Sequence, residues 1–335
     1  MESFLKNAYT LHQKGDDFFA QGRFGKAKDY YQVSMDAYRQ AEDFQALGLS
    51  LTRLGRATEM MGEYEKAQKA YEESLALFQN LSDLPGIARS KAHLGSLSWA
   101  TGNYPEATKF LEDALAFYRI GEDPAGEAWV HDLMGNLKLA MRDDREAERS
   151  YRAANMMVEQ LGANLQNKAW DLFHFGAVTL FRGEKAQARE RFEEALKCFT
   201  RLKDGLGQIS TRIHLGEIAC DMKEYEASEE HFRKAVRLVL PTECKPLLAD
   251  ALTGIAQLLK AKGDERKAVS ILMVALSHPT CRQQTKDRMV SLTLTLQSHL
   301  SRHEVEGGFK WAKAVSLEEV AEAWVSAASK AAKQS

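Results

Sequence analysis

One stretch, residues 51–78 (LTRLGRATEMMGEYEKAQKAYEESLALF), returns in altered form every forty or forty-one residues, and this period constrains the fold more than any other feature. Its first fixed point is a glycine, after an apolar residue in every copy but the first: Gly15, Gly55, Gly95, Gly135, Gly176 and Gly216, with Ala256 in the last copy. A turn position follows seven residues on, at Gly22, Gly62, Gly102, Arg142, Gly183, Lys223 and Gly263. A small residue comes five later, at Ala27, Ala67, Ala107, Ala147, Ala188, Ser228 and Ala268. Seven copies in one register make this a chain of repeats.

Each fixed point has a mechanical reason. A glycine inside a helix costs roughly 1 kcal/mol against alanine, a cost that close approach of a neighbour offsets. The turn glycine lets the chain leave the first helix in a left-handed conformation. An aromatic two residues later (Phe24, Tyr64, Tyr104, Tyr225) is placed to wedge between two helices. The second helix then carries apolar or small residues at helical spacing, as in Ala67, Tyr71, Ser74, Leu75 and Phe78. The unit is an antiparallel helix pair. Asp43, Asp83, Asp123 and Asp204, each twelve residues before a repeat glycine, read as caps for the next first helix. Arg142-Asp143-Asp144 replaces Gly-x-Tyr in the fourth pair, where a looser turn is expected.

These columns, with Tyr31, Tyr71, Leu111, Tyr151, Phe192, Phe232 and Leu272 four after each small residue, resemble the tetratricopeptide repeat over roughly residues 5–277. The period exceeds the usual 34 residues. The resemblance implies an all-α chain: an α-solenoid of about seven helix pairs in a right-handed superhelix. The expected organisation is a repeat array over 1–281 and C-terminal capping helices over 282–335. In the tail, Met289, Leu292, Leu296 and Leu300 share one helix face, and Leu317, Val320, Ala321, Trp324 and Ala328 another. Ser301-x-x-Glu304 and Ser316-x-x-Glu319 read as capping boxes.

The tail also resembles, in AVSILMVALSHPTCRQQTKDRM and KAVSLEEVAEAW, the C-terminal end of signal-transduction NTPases with numerous domains, the STAND class. That resemblance implies the sensor part of a signalling regulator, either an excised module or a free-standing relative. No phosphate loop of the G-x-x-x-x-G-K-[ST] type occurs in the sequence.

Charge and composition exclude several classes. The 45 basic and 47 acidic residues nearly cancel, and no basic stripe suggests nucleic acid. No apolar run is long enough for a membrane span, and the N-terminus lacks the pattern of a signal peptide. Cys198, Cys220, Cys244 and Cys281 show no paired spacing, so a reducing, cytoplasmic setting is expected. His93, His174 and His214 recur two before the repeat glycine, a spacing that follows the stack and brings no third metal ligand with it. No metal, cofactor or catalytic activity is expected.

The binding surface is expected on the side of the first helices that the resemblance places in the concave groove. Its columns lie six and three residues before the repeat glycine and one and four after it. They gather Trp99, Trp129, Trp170 and Phe173 in repeats three to five, with Arg56, Arg89, Asp132 and Asn136 nearby. Large aromatics with a few polar groups suit recognition of a protein, a peptide or a small-molecule inducer. The competing reading is that they pack between neighbouring first helices. Three roles fit such an array: STAND-type sensor, adaptor scaffold for protein partners, or peptide-pheromone receptor.

Overall fold

The backbone breaks where the turn residues stand. In the computed structural model, which describes residues 2–331, every regular element among the described residues is helical. The chain divides into two compact units, Met1–Glu184 and Lys185–Ser335.

The first unit holds four helix pairs and one further helix. They are α1 (Glu2–Ala20) with α2 (Phe24–Gln40), α3 (Phe44–Met60) with α4 (Tyr64–Leu81), α5 (Leu84–Ala100) with α6 (Tyr104–Ile120), α7 (Pro124–Ala140) with α8 (Asp144–Gln160), and α9 (Leu165–Phe181). The second unit holds α10 (Lys185–Leu202), the pairs α11 (Gly205–Asp221) with α12 (Tyr225–Val239) and α13 (Lys245–Ala261) with α14 (Glu265–Ser277), and then α15 (Gln283–Gln297), α16 (Arg302–Ala312) and α17 (Leu317–Ala331).

The turns work as expected, with one correction. Gly22, Gly62, Gly102, Gly183 and Gly263 all take positive φ, between 73° and 87°. Arg142 and Lys223 take the same left-handed conformation, at 65° and 64°. The fourth turn is therefore not looser. Arg142 N–H donates to Leu139 at 3.1 Å and Asp143 N–H to Lys138 at 2.9 Å, as the equivalent residues do elsewhere. Asp143 then caps α8 by accepting from Glu146 N–H at 3.1 Å, which helps hold the strained residue before it.

The aspartates between pairs are caps. Asp43, Asp83, Asp123 and Asp204 accept from the amides of Ala46, Gly86, Gly126 and Gly207 at 2.9–3.1 Å. Three of those partners are glycines for a packing reason: an added Cβ would stand 2.2–2.3 Å from a ring atom of Phe78, Tyr118 or Phe199. The repeat glycines have the same purpose within a pair. A Cβ on Gly55 or Gly135 would meet Tyr71 or Tyr151 at 2.4 Å. The first, second, fourth and sixth pairs are thus locked by an aromatic from the second helix laid across the backbone of the first, and the third pair by Leu111 against Gly95.

In the first unit α3 packs on α5 and α5 on α7, whereas no comparable packing joins α2 to α4 or α4 to α6. From α1 to α7 the first helices thus pack closer to one another than the second helices do, the arrangement expected of the inner row of a repeat array. In the second unit α15 lies beside α13, where Arg282 and Thr285 reach Asp250, and Arg288 pairs with Glu217. Helix α16 packs on α14, and α17 on α12, α13 and α14. Both capping boxes form, at Ser301/Glu304 and Ser316/Glu319. Met289, Leu296, Leu317, Val320 and Ala321 are buried as their spacing predicts, while Ala328 falls within α17 but its side chain is outside the described ones.

Candidate functional site

Two of the second-helix tyrosines that lock a pair, Tyr71 and Tyr151, also begin the candidate site. Tyr71 is fully buried, and its hydroxyl donates to Glu59 Oε2 at 2.6 Å. The His93 ring of the next repeat stacks on it, 5.0 Å between centroids and 6° from parallel. Trp129, one repeat further, tilts against His93 at 4.8 Å. The recurrent histidine is thus a spacer between a core tyrosine and an inner-face tryptophan. Burial, and then the charges of Arg56, Arg53 and Arg89, push its pKa well below the usual histidine value. His93 is neutral at pH 7.

The same construction recurs two repeats on. Tyr151 donates to Asn136 Oδ1 at 3.0 Å, and His174 stacks on Tyr151 at 4.5 Å and 10°. Trp170 and Phe173 meet edge to face at 5.5 Å and both border His174, at 5.8 and 5.9 Å. Asp132 stands 3.5 Å from His174 Nδ1. Burial and the nearby Asp132 carboxylate raise the Asp171 carboxyl to about 6.

The eight residues singled out from the sequence therefore gather around two histidine stacks. Arg56, Arg89 and Trp129 surround His93, and Trp99 packs with Trp129 against a shared core of Ala88, Ala92 and Leu137. Asp132, Asn136, Trp170 and Phe173 surround Tyr151 and His174. Arg56 lies 4.6 Å over the Phe19 ring, and Trp99 Nε1 is buried without a hydrogen-bond partner. Trp129, Trp170 and Phe173 are half-buried.

Sequence reasoning missed three parts of this arrangement. Tyr71 and Tyr151 were legible as core but not as supports, and His93 and His174 as a column but not as stacked rings. Asp171 lay one position outside the columns considered. A groove of about 870 Å³ in the second unit was also missed; Trp311 and Trp324 line it with Leu258, Leu259, Ile271 and Val320. Three cysteines are inert, because burial lifts the Cys220 and Cys244 thiols to about 11 and Cys281 to about 12.

The tetratricopeptide repeat family model matches residues 45–120 and 208–278. No curated protein matches the sequence. Among solved structures, the chain is similar to a Rap protein complexed with competence and sporulation factor, with TM-score 0.65, 16% identity and coverage of 88% of this chain and 76% of that one. It is similar to the Rap conjugation gene regulator of plasmid pLS20 in complex with the Phr* peptide, with TM-score 0.64, 13% identity and coverage of 89% and 76%. The fold is that of a tetratricopeptide-like helical repeat. Within it, the chain also resembles a STAND protein with a tetratricopeptide repeat sensor from Pyrococcus horikoshii, with TM-score 0.54 and 13% identity over 91% of this chain. It spans 50% of that chain. No described helix is long and apolar enough to cross a membrane.

Proposed function

We propose that the chain is a non-enzymatic recognition module whose inner face, in the first unit, holds a peptide segment of a partner protein. The observation that carries this reading is the pair of half-buried aromatic ledges. Trp129 sits on the His93 stack beside arginines, and Trp170 with Phe173 on the His174 stack beside Asp132 and Asn136. Rigid aromatics on a buried base supply contact area at little entropic cost, and flanking polar groups fix register. The two Rap structures hold a factor and a peptide by their own descriptions, which agrees with this reading in a similar fold.

The setting we favour is the sensor part of a STAND-type regulator, on the tail motif and the likeness to the Pyrococcus horikoshii protein. A peptide-pheromone receptor is the second reading, favoured by the two Rap neighbours, one bound to a factor and one to a peptide. An adaptor scaffold uses the same face without a switch.

The test pans a random heptapeptide phage library on the wild-type chain and measures the selected peptides against Trp129→Ala and Trp170→Ala. Each substitution should weaken binding by about 2 kcal/mol or more, as at a hot spot. Each should cost less stability than the roughly 3–5 kcal/mol of a fully buried aromatic truncation. Unchanged affinity with a large fall in Tm would make the aromatics inter-repeat core and remove the site.

A further inference from the structure

The repeat register allows one surface position to be compared between pairs. In the third repeat Lys91 occupies a first-helix position, four before the repeat glycine, that is leucine in four of the seven copies (Leu11, Leu51, Leu172, Leu252). Its ammonium is held by the second helix of the same pair. Asp113 accepts from Nζ at 2.5 Å, and the rings of Phe110 and Phe117 lie 6.0 and 5.8 Å from it. A half-buried cation is paired there with a carboxylate and lined by aromatic faces.

The sixth repeat carries Arg212 at the position of Lys91, His231 at that of Phe110 and Lys234 at that of Asp113. The carboxylate is replaced by a second cation and the ring by an imidazole. Arg212 is half-buried, and its Nε and His231 Nδ1 are both buried without hydrogen-bond partners. The nearby acid, Glu230, already accepts from Arg233 at 2.8 Å and Lys234 at 3.1 Å. On the neighbouring α10, Arg189 is taken by Glu193 and Glu224. A guanidinium is left without the counter-charge that its third-repeat equivalent has. Burial, with Arg212 and Lys234 beside it, lowers the His231 pKa to about 4.

We propose that Arg212, His231 and Lys234 form a binding site for a phosphate-class oxyanion, which supplies from outside the negative charge that Asp113 supplies within the third repeat. A guanidinium presents paired N–H donors to a tetrahedral oxyanion, and Lys234 adds an exposed ammonium that it now shares with Glu230. The bound anion would also favour the protonated imidazole, adding a third donor.

The test is isothermal titration of the full chain at low ionic strength with inorganic phosphate and, separately, with O-phosphoserine. Saturable binding of either is expected; the tighter ligand tells whether the site takes the free anion or a phosphoryl ester. Arg212→Gln should weaken it at least tenfold. Lys234→Asp should abolish binding and raise Tm, because it rebuilds the third-repeat ion pair. Lys91→Gln should leave binding unchanged. In the wild type, phosphate should also move the His231 ring titration upward by NMR. Absence of binding by both probes overturns the site, as does binding that survives Lys234→Asp or Arg212→Gln in a folded chain.

Discussion

The two inner-face stacks of the first unit share a frame and differ in their surroundings. Tyr71 with His93 and Tyr151 with His174 are both face-to-face pairs, 5.0 and 4.5 Å apart and within 10° of parallel. Both tyrosines cross a repeat glycine that leaves no room for a Cβ. Around the first stack are Arg53, Arg56 and Arg89; around the second are Asp132 and Asp171. Packing demands of the repeat dictate the frame: in both stacks a flat ring lies between the glycine backbone and the next histidine. Nothing in the packing dictates the sign of the surrounding charge. The frame belongs to the fold, and the charge is where one repeat can differ from another in what it binds.

The largest expected effects test whether the frames are equivalent. Tyr71→Ala and Tyr151→Ala each remove a fully buried ring from a glycine crossing, and each should cost about 3–5 kcal/mol. Denaturant melts of the two variants should give similar losses. A loss below about 1 kcal/mol at either site would mean that the repeats are not mechanically alike.

A smaller effect separates the stacks by the partner of the phenol. Tyr71 donates to the Glu59 carboxylate, and Tyr151 to the neutral amide oxygen of Asn136. Hydrogen bonds to charged groups contribute about 1.5–3 kcal/mol and neutral ones about 0.5–1.5. Tyr71→Phe should therefore destabilise more than Tyr151→Phe, with both stacks left in place. Ser96 also reaches Glu59, at 3.3 Å, and keeps the carboxylate partly satisfied. The reverse order of the two losses would break the distinction between a charged and a neutral partner of the phenol.

The frame was largely legible in the sequence, because glycine and aromatic columns are one-dimensional signals of a local contact. All seven turns lie where the register placed them, including those at Arg142 and Lys223, since backbone hydrogen bonds, joined at Arg142 by the Asp143 cap, hold a non-glycine residue in the left-handed region. The second glycine set, Gly86, Gly126 and Gly207, was missed although it repeats. Its partner ring comes from the preceding pair, so no spacing within one repeat reveals it. The site was legible as a list of residues and not as an arrangement. Column arithmetic put Trp129 and Trp170 on one side of a helix, but which ring rests on which histidine depends on the lateral offset between neighbours. Asp171 was invisible for another reason: its perturbation comes from burial and from Asp132 on another helix.

The smallest expected effect is in pH, where the stacks should respond with opposite sign. His93 has its folded pKa well below 6.5, through burial and then the arginines. The stability linked to its neutral form is fully present above pH 6.5 and is lost as pH falls below that value. Asp171 has its folded pKa raised to about 6 from 3.8, so the folded chain takes up this proton before the unfolded one does. Its contribution therefore improves stability as pH falls through about 6 towards 3.8. In melts at pH 7 and pH 5, Asp171→Asn should lose more Tm on acidification than the wild type. His93→Phe, which keeps a flat ring on Tyr71, should lose less. Water screens the half-exposed Asp171, so its part should be on the order of a degree. Equal pH slopes in both variants and the wild type would mean that the surrounding charges do not distinguish the two stacks.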